Sequence, residues 1–356
     1  MSTPIFSREQ TIKYAETRLF GINVRPDEVS GIKIYNGMLP SELEALLTGS
    51  VSRVIQDNGR EPIYFSSGTL HIPQYSGFGR RKRYEEMVFA YLKAKQSQLK
   101  FESLERNGEA DRTDIFYDNH AYDFVKEMFS SGRPRLSTIV FGPLPAVAKQ
   151  SKVISQYTHE YLDSQVIEVG GHHVLNVGYV YADQAGIILD KMTRKFEAHA
   201  REQGIKMPVS VYLFGRVGSL HDTVPRDSIV VPTAILDEND LLEKRHSLYP
   251  IHNTLAQRNS TARINLNVNS VMGETREILE LAQRQGCISV DMEIREAVES
   301  VNKARRRYQH LDLRFGFAGY VSDLPLQGDT LAEELTSDQG EQEAVKLIVE
   351  HIKKSA

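Results

Sequence analysis

From about residue 136 to the C-terminus the sequence alternates short apolar runs with longer amphipathic ones, and this alternation restricts the fold more than any other feature. Apolar runs rich in β-branched residues at 137–141, 172–177, 209–214, 228–235, 263–268, 288–290 and 315–321 predict strands. Segments 147–162, 182–202, 276–285, 294–307 and 341–354 predict helices. Strands and helices in alternation predict a three-layer α/β domain, with a mixed, mostly parallel central sheet flanked by helices. In such sheets ligands sit outside the carboxyl ends of the strands. Polar clusters at strand ends are therefore where chemistry is expected.

Residues 1–135 follow another regime, polar and turn-rich, and predict an irregular α+β extension ahead of the 136–356 domain. Leu43, Leu46, Leu47 and Val51 share a helical spacing over 41–54, and Met87, Val88, Tyr91, Leu92 and Leu99 do so over 84–104. Residues 62–65 read as a strand, and Ser130-Ser131-Gly132-Arg133-Pro134 gathers chain breakers expected of a linker. The run Arg80-Arg81-Lys82-Arg83 opens a predicted helix, where the dipole disfavours cations. It is read as solvated or paired with an acidic neighbour, the alternative being a cover over a substrate phosphate.

Composition excludes several classes of function. A 40% hydrophobic, 25% charged chain with a mean hydropathy of -0.37 is that of a soluble globular protein. A net charge of -4 gives no reason to expect nucleic-acid or membrane partners. No run approaches the roughly 18 apolar residues that a membrane span needs, and MSTPIFSREQ has neither the apolar core nor the cleavage pattern of a signal peptide. The single cysteine, Cys287, allows no internal disulfide and sits beside an apolar run, so inert packing and a reducing, cytoplasmic setting are expected. His172, His173 and His221 lack metal-ligand spacing, and no metal is implied.

Three clusters at strand ends carry the chemistry. The run Val211–Phe214 stops at Gly215-Arg216-Val217-Gly218-Ser219, which offers flexible backbone N–H groups, a cation and a hydroxyl to an oxyanion. A plain strand end with a solvated arginine has the same sequence. Asp291-Met292-Glu293 ends a short apolar run, and its glutamate can hold a vicinal diol while Met292 lies against a sugar face. An acidic helix N-terminus is the alternative. Tyr320-Val321-Ser322-Asp323 delivers an aspartate that partial burial would fit to act as a general acid, or that begins an Asx turn before Pro325.

In this order and spacing the three clusters resemble the nucleoside phosphorylase superfamily, purine nucleoside phosphorylase type, over about 136–356. Arg216–Ser219 followed by Arg226–Val230 is similar to the phosphate strand and its successor, Asp291–Glu293 to the ribose motif, and Val321–Asp323 to the catalytic strand. Ile139–Pro145 and Val174–Gly178 resemble the first strand with its glycine loop and the strand that approaches the sugar. The resemblance implies cleavage of the N-glycosidic bond of a purine nucleoside by phosphorolysis, giving free base and ribose 1-phosphate. It implies Asp323 and Ser322 at the departing base, and Arg216, Ser219 and Gly142 on phosphate. Glu293, Met292 and Tyr179 fall at the ribose, and Asn267, Asn269 and Ser270 at the base edge. Inorganic phosphate enters as co-substrate with no cofactor, and homo-oligomers are implied.

The sequence also departs from that pattern. Ala146 and Val147 stand where an arginine usually follows the glycine loop, leaving Lys149 as the nearest cation, and Tyr179-Val180 replaces a Met-Gly pair. Ser322-Asp323-Leu324-Pro325-Leu326-Gln327-Gly328 resembles a segment of AMP nucleosidases, which carry an extra N-terminal domain and use water. Hydrolysis of a nucleotide therefore stands as an alternative, and a catalytically weak nucleoside or nucleotide sensor as a third.

Overall fold

A computed structural model describes residues 6–20, 24–36, 53–54, 63–74, 78–96, 98–104, 137–157, 164–178, 180, 184–245, 247–256, 263–269, 274–328 and 338–355. The chain forms two units, one holding the described residues up to 104 and the other those from 137 onward. In the first, helix α1 (Arg8–Leu19) starts at a reciprocal capping box between Ser7 and Gln10, which satisfies two donors left open by the first turn. Strands β1 (Gly31–Asn36), β2 (Arg53–Val54), β3 (Ile63–Ser66) and β4 (Thr69–Gln74) follow, then helix α2 (Phe78–Lys95) and strand β5 (Lys100–Leu104). The sheet order is β2-β3-β4-β1-β5, with β1 parallel to both neighbours. Alternate residues Ile32, Ile34, Leu70 and Ile72 turn one sheet face into a core with Ala15, Leu19, Val88 and Tyr91 of the helices.

The second unit opens with β6 (Thr138–Phe141), helix α3 (Leu144–Ala148), and strands β7 (Lys152–Tyr157), β8 (Ser164–Val169) and β9 (His172–Val177). Helix α4 (Gln184–Glu202) leads to the long strand β10 (Met207–Ser219), then β11 (Ile229–Val230) and β12 (Ala234–Asp237). Helix α5 (Glu238–Leu242), strands β13 (Leu248–Pro250) and β14 (Ile264–Asn267), helix α6 (Arg276–Arg284) and strand β15 (Cys287–Asp291) continue the chain. Helix α7 (Ile294–Arg307), strand β16 (Leu311–Asp323) and helix α8 (Gln339–Ser355) complete it. The result is a mixed α/β fold with a central mixed sheet of eleven strands, ordered β13-β12-β14-β15-β10-β6-β9-β8-β7, with β16 branching from β10 and β11 pairing with β16.

Strands β10 and β16 run parallel along almost their whole length, and their alternation assigns two faces. Tyr212, Phe214, Ala318 and Tyr320 face α8, whose Val345, Ile348, Val349 and Ile352 complete that core. Helices α4 and α7 pack on each other and on β16 to form the opposite layer. Glycine is required where these layers meet: a Cβ on Gly316 would lie 2.7 Å from the Tyr212 ring, and one on Gly319 2.5 Å from Val217. Among the described residues no helix is long and apolar enough to cross a membrane.

Several elements differ from the sequence expectation. Segment 147–162 is not one helix: α3 ends at Ala148, and 152–157 pairs as edge strand β7, in keeping with the β-branched Val153 and Ile154. Segment 228–235 is two short strands separated by Pro232, which lacks a ladder donor; β11 pairs with β16 whereas β12 moves to β13 and β14. The helix expected over 84–104 stops at Lys95, where Gln96 takes a positive φ of 54°, and β5 follows. Of the helix expected over 41–54, residues 53–54 are strand, and 41–52 lie outside the described residues, as does the 130–134 linker.

Candidate active site

The strand expected to stop at Gly215 continues through Gly-Arg-Val-Gly-Ser to Ser219. One edge of β10 is covered by β16 along its length. On the other edge, parallel β6 pairs only with Ser210–Leu213, while antiparallel β15 pairs only with Gly218 and Ser219. The carboxyl ends of β6 and β15 therefore face each other across residues 214–217, about 13 Å of strand whose edge on this side has no partner strand among the described residues. A gap of this kind, where neighbouring strands diverge, is where α/β sheets hold ligands.

Gly142 forms one wall. Its φ of 153° turns the chain out of β6, and a Cβ there would fall 2.1 Å from the Phe214 ring. The turn is held from β9: Gly142 N–H donates to the Val177 carbonyl at 3.0 Å. Fully buried Asn176 donates through Nδ2 to the carbonyls of Val140 (3.1 Å) and Gly142 (3.2 Å). Gln165 Nε2 in turn donates to Asn176 Oδ1 at 2.9 Å and to the Leu144 carbonyl at 3.0 Å. Every polar group of this buried set thus has a partner that fixes the turn.

The end of β15 forms the opposite wall, and the end of β16 lies across β10 from it. Gly218 pairs with Val290 on one side and Asp323 on the other, so the two acidic strand ends leave the sheet two strand spacings apart, about 10 Å. A Cβ on Gly218 would meet Val290 Cγ1 at 2.9 Å, which explains the glycine at this junction. The register of β16 slips between Val217 and Gly218, making Ser322 the extra residue of a bulge that re-aims the strand end. Both residues are buried, and Ser322 Oγ donates to Asp323 Oδ1 at 2.7 Å.

In Asp291-Met292-Glu293 the aspartate does the structural work. Asp291 is buried, accepts from Asn265 Nδ2 at 2.9 Å, and takes the backbone N–H groups of Glu293 and Ile294 at the start of α7. Burial, and secondarily the charge on Glu293, pushes its carboxyl well above the ordinary range. Glu293 is half-buried at the α7 N-cap without a capping bond from its side chain. Met292 is also half-buried and packs against the cluster of Leu220, Leu236, Leu266 and Val290.

Arg216 and Ser219 are not brought together. Arg216 lies on the α8 face in the row of Tyr212 and Phe214, and its Nε donates to Tyr320 Oη at 3.4 Å. Ser219, three residues further along an extended strand, points to the other face; its buried Oγ donates to the His221 carbonyl at 2.9 Å. Gly142 does share the Arg216 face, because both flank Phe214. Lys149, the cation noted after the glycine loop, joins the same neighbourhood, pairing with Asp338 at 3.0 Å.

Asn267 lies level with Asp291 at the carboxyl end of β14, and its Oδ1 accepts from Arg295 N–H at 3.3 Å. The Asn269 amide donates to Glu238 Oε2 at 3.2 Å. Tyr179 and Ser270 lie outside the described residues. Sequence reasoning missed Asn176 as the support of the glycine turn, although it sits inside the Val174–Gly178 motif, and gave no sign of Glu341 or Asp338; Asp227 lay in the Arg226–Val230 motif with no role assigned to it. Asp227 Oδ1 accepts the Gly340 N–H at 2.9 Å in the first turn of α8. Cys287 is buried and its thiol pushed up to about 12, consistent with an inert side chain. Among the described residues no group of three or more His, Cys, Asp or Glu is arranged to hold a metal ion.

No family model matches the sequence, and neither does any curated protein. Among solved structures the chain is similar to 5′-methylthioadenosine/S-adenosylhomocysteine nucleosidase from Neisseria meningitidis in complex with methylthio-immucillin-A, at 13% identity over 62% of this chain and 100% of that one, with a TM-score of 0.45. It is similar to futalosine hydrolase of Helicobacter pylori strain 26695 at 10% identity over 62% and 98% of the two chains, with a TM-score of 0.47. Purine nucleoside phosphorylase from Toxoplasma gondii in complex with immucillin-H matches at 14% identity over 62% and 93%, with a TM-score of 0.42.

Proposed function

We propose that the C-terminal unit cleaves the N-glycosidic bond of a purine nucleoside or nucleotide in the gap beside residues 214–217. The observation that carries this reading is the pairing of Gly218 with both Val290 and Asp323, which sets two acidic strand ends about 10 Å apart on either side of β10, where its open edge ends. That spacing suits a sugar at one end and a base at the other. Asp323 hands a proton to the departing base, with Ser322 fixing the orientation of its carboxyl. Glu293 holds the sugar hydroxyls, and Asp291 fixes the helix start from which Glu293 projects. Met292 and Tyr179 are assigned to the sugar; Asn267 and Asn269 lie at the end of β14, on the far side of β15 from Asp323, so their place is at the Glu293 end and not at the departing base.

For the acceptor, the motif order supports phosphate, with Arg216 and the Gly142 turn on the one face that would hold it and ribose 1-phosphate as product. Water is the second reading, and one observation favours it: Arg216 and Ser219 lie on opposite faces of β10, so one anion is not gripped by both. Base release from purine nucleosides with and without inorganic phosphate tests the pair. Phosphorolysis requires release to stop when phosphate is removed; release at an undiminished rate establishes hydrolysis.

A further inference from the structure

We propose that Glu341 of α8 is a built-in counter-ion at the Arg216 end of the gap, occupying the place of an oxyanion and selecting against phosphate as acceptor. This rests on the gap being the glycosidic site. Four elements converge there. Arg216 (β10) donates to Tyr320 Oη (β16) at 3.4 Å, and Tyr320 Oη donates to Glu341 Oε1 at 3.5 Å. Lys149, beyond α3, and Asp338, ahead of α8, form the 3.0 Å pair beside them, and both act electrostatically on Glu341. Burial pushes the Glu341 carboxyl up, while the charge of Arg216 draws it down.

Two cations are thus matched by two carboxylates. A phosphate dianion needs a site with surplus positive charge, and here it would meet Glu341 before Arg216 was released to bind it. A carboxylate about 5 Å from an incoming anion, at an effective dielectric constant of about 20, weakens anion binding by on the order of a hundredfold. Water, being neutral, bears no such penalty. Glu341 thereby becomes the residue that decides which acceptor the gap admits.

The test is calorimetric titration of inorganic phosphate into the full-length protein and into Glu341→Gln, with folding checked by circular dichroism. Wild type is expected to show no saturable binding in the low millimolar range, and Glu341→Gln to bind on the order of a hundredfold tighter. That gain disappears when Arg216→Gln is added. Equal affinity of wild type and Glu341→Gln, or a gain that survives loss of Arg216, overturns the proposal. Glu341→Ala repeats the measurement should the glutamine variant not fold.

Wild type gives an independent reading with sulfate, which stays a dianion as pH is lowered while Glu341, its carboxyl pushed up by burial, takes up a proton ahead of an ordinary glutamate. The groups facing Glu341 are Arg216, Lys149, Tyr320 and Asp338, and the Asp338 carboxyl is held low by Lys149 and Gln342. Sulfate affinity should rise in wild type and stay flat in Glu341→Gln; identical profiles contradict the proposal. Base release is measured separately. A phosphate gain without base release from any nucleoside rejects the glycosidic reading and keeps the counter-ion; base release without the gain does the reverse.

Discussion

Replacing Asn176 by leucine tests whether the glycine turn is held from β9 as described. The side chain is fully buried, donates through Nδ2 to the carbonyls of Val140, Gly142 and Val177, and accepts one bond from Gln165 Nε2. Leucine is of similar size, so the cost is polar. Three carbonyls lose a donor, of which Val177 keeps the Gly142 N–H, and Gln165 keeps only its bond to the Leu144 carbonyl. Each under-satisfied buried group costs about 1–3 kcal/mol, so a loss of about 2–4 kcal/mol is expected. The chain has no tryptophan, so urea unfolding is followed by circular dichroism, with hydrogen exchange reporting on 138–142 and 172–178. The double variant with Gln165→Leu should lose less than the sum of the singles, since the stranded amide is removed with its partner. A loss below about 0.5 kcal/mol, or strict additivity, refutes the network.

Two further substitutions probe the walls of the gap. Gly142→Ala places a Cβ 2.1 Å from the buried Phe214 ring at a φ of 153°, and should lower the melting temperature by about 5 °C or more; a shift under about 2 °C would show that the turn adapts freely. Asp291→Asn keeps an oxygen acceptor for Asn265 and the backbone N–H groups while removing an ionisable carboxyl. Because the folded-state value of Asp291 is raised, its protonated form stabilises the fold at low pH, and that contribution is lost as pH rises from the ordinary aspartate range through the raised value. The asparagine variant should therefore be the more stable protein at neutral pH, with the difference closing toward about pH 4. A less stable variant at neutral pH contradicts the assignment.

The α/β architecture was legible because each element carried its own period. Strand β9 (His172–Val177) and helix α7 (Ile294–Arg307) match the residues that periodicity predicts. Boundaries failed where tertiary pairing overrode local signal. Strand β10 runs through Gly215 to Ser219, because parallel pairing with β16 continues where composition reads as loop. Strand β8 was missed although Gly170-Gly171, both at positive φ, make a two-residue hairpin turn that the dipeptide itself announces. The chemical residues were legible as strand-end clusters, but their grouping was not. Face alternation separates Arg216 from Ser219, and no local pattern links Arg216 to a glutamate on the last helix.

The central claim is that Asp323 drives departure of a purine base. Chromatographic detection of free base, from a panel of purine nucleosides and nucleotides, tests it with wild type and Asp323→Asn side by side. Because Asp323 is buried and hydrogen-bonded to Ser322, asparagine preserves size and an acceptor while removing the proton donor. Wild type should release base from at least one member, and Asp323→Asn should lose about 100-fold or more of that rate while still binding the same compound. No release by wild type from any member of the panel, or undiminished release by Asp323→Asn, would contradict the account.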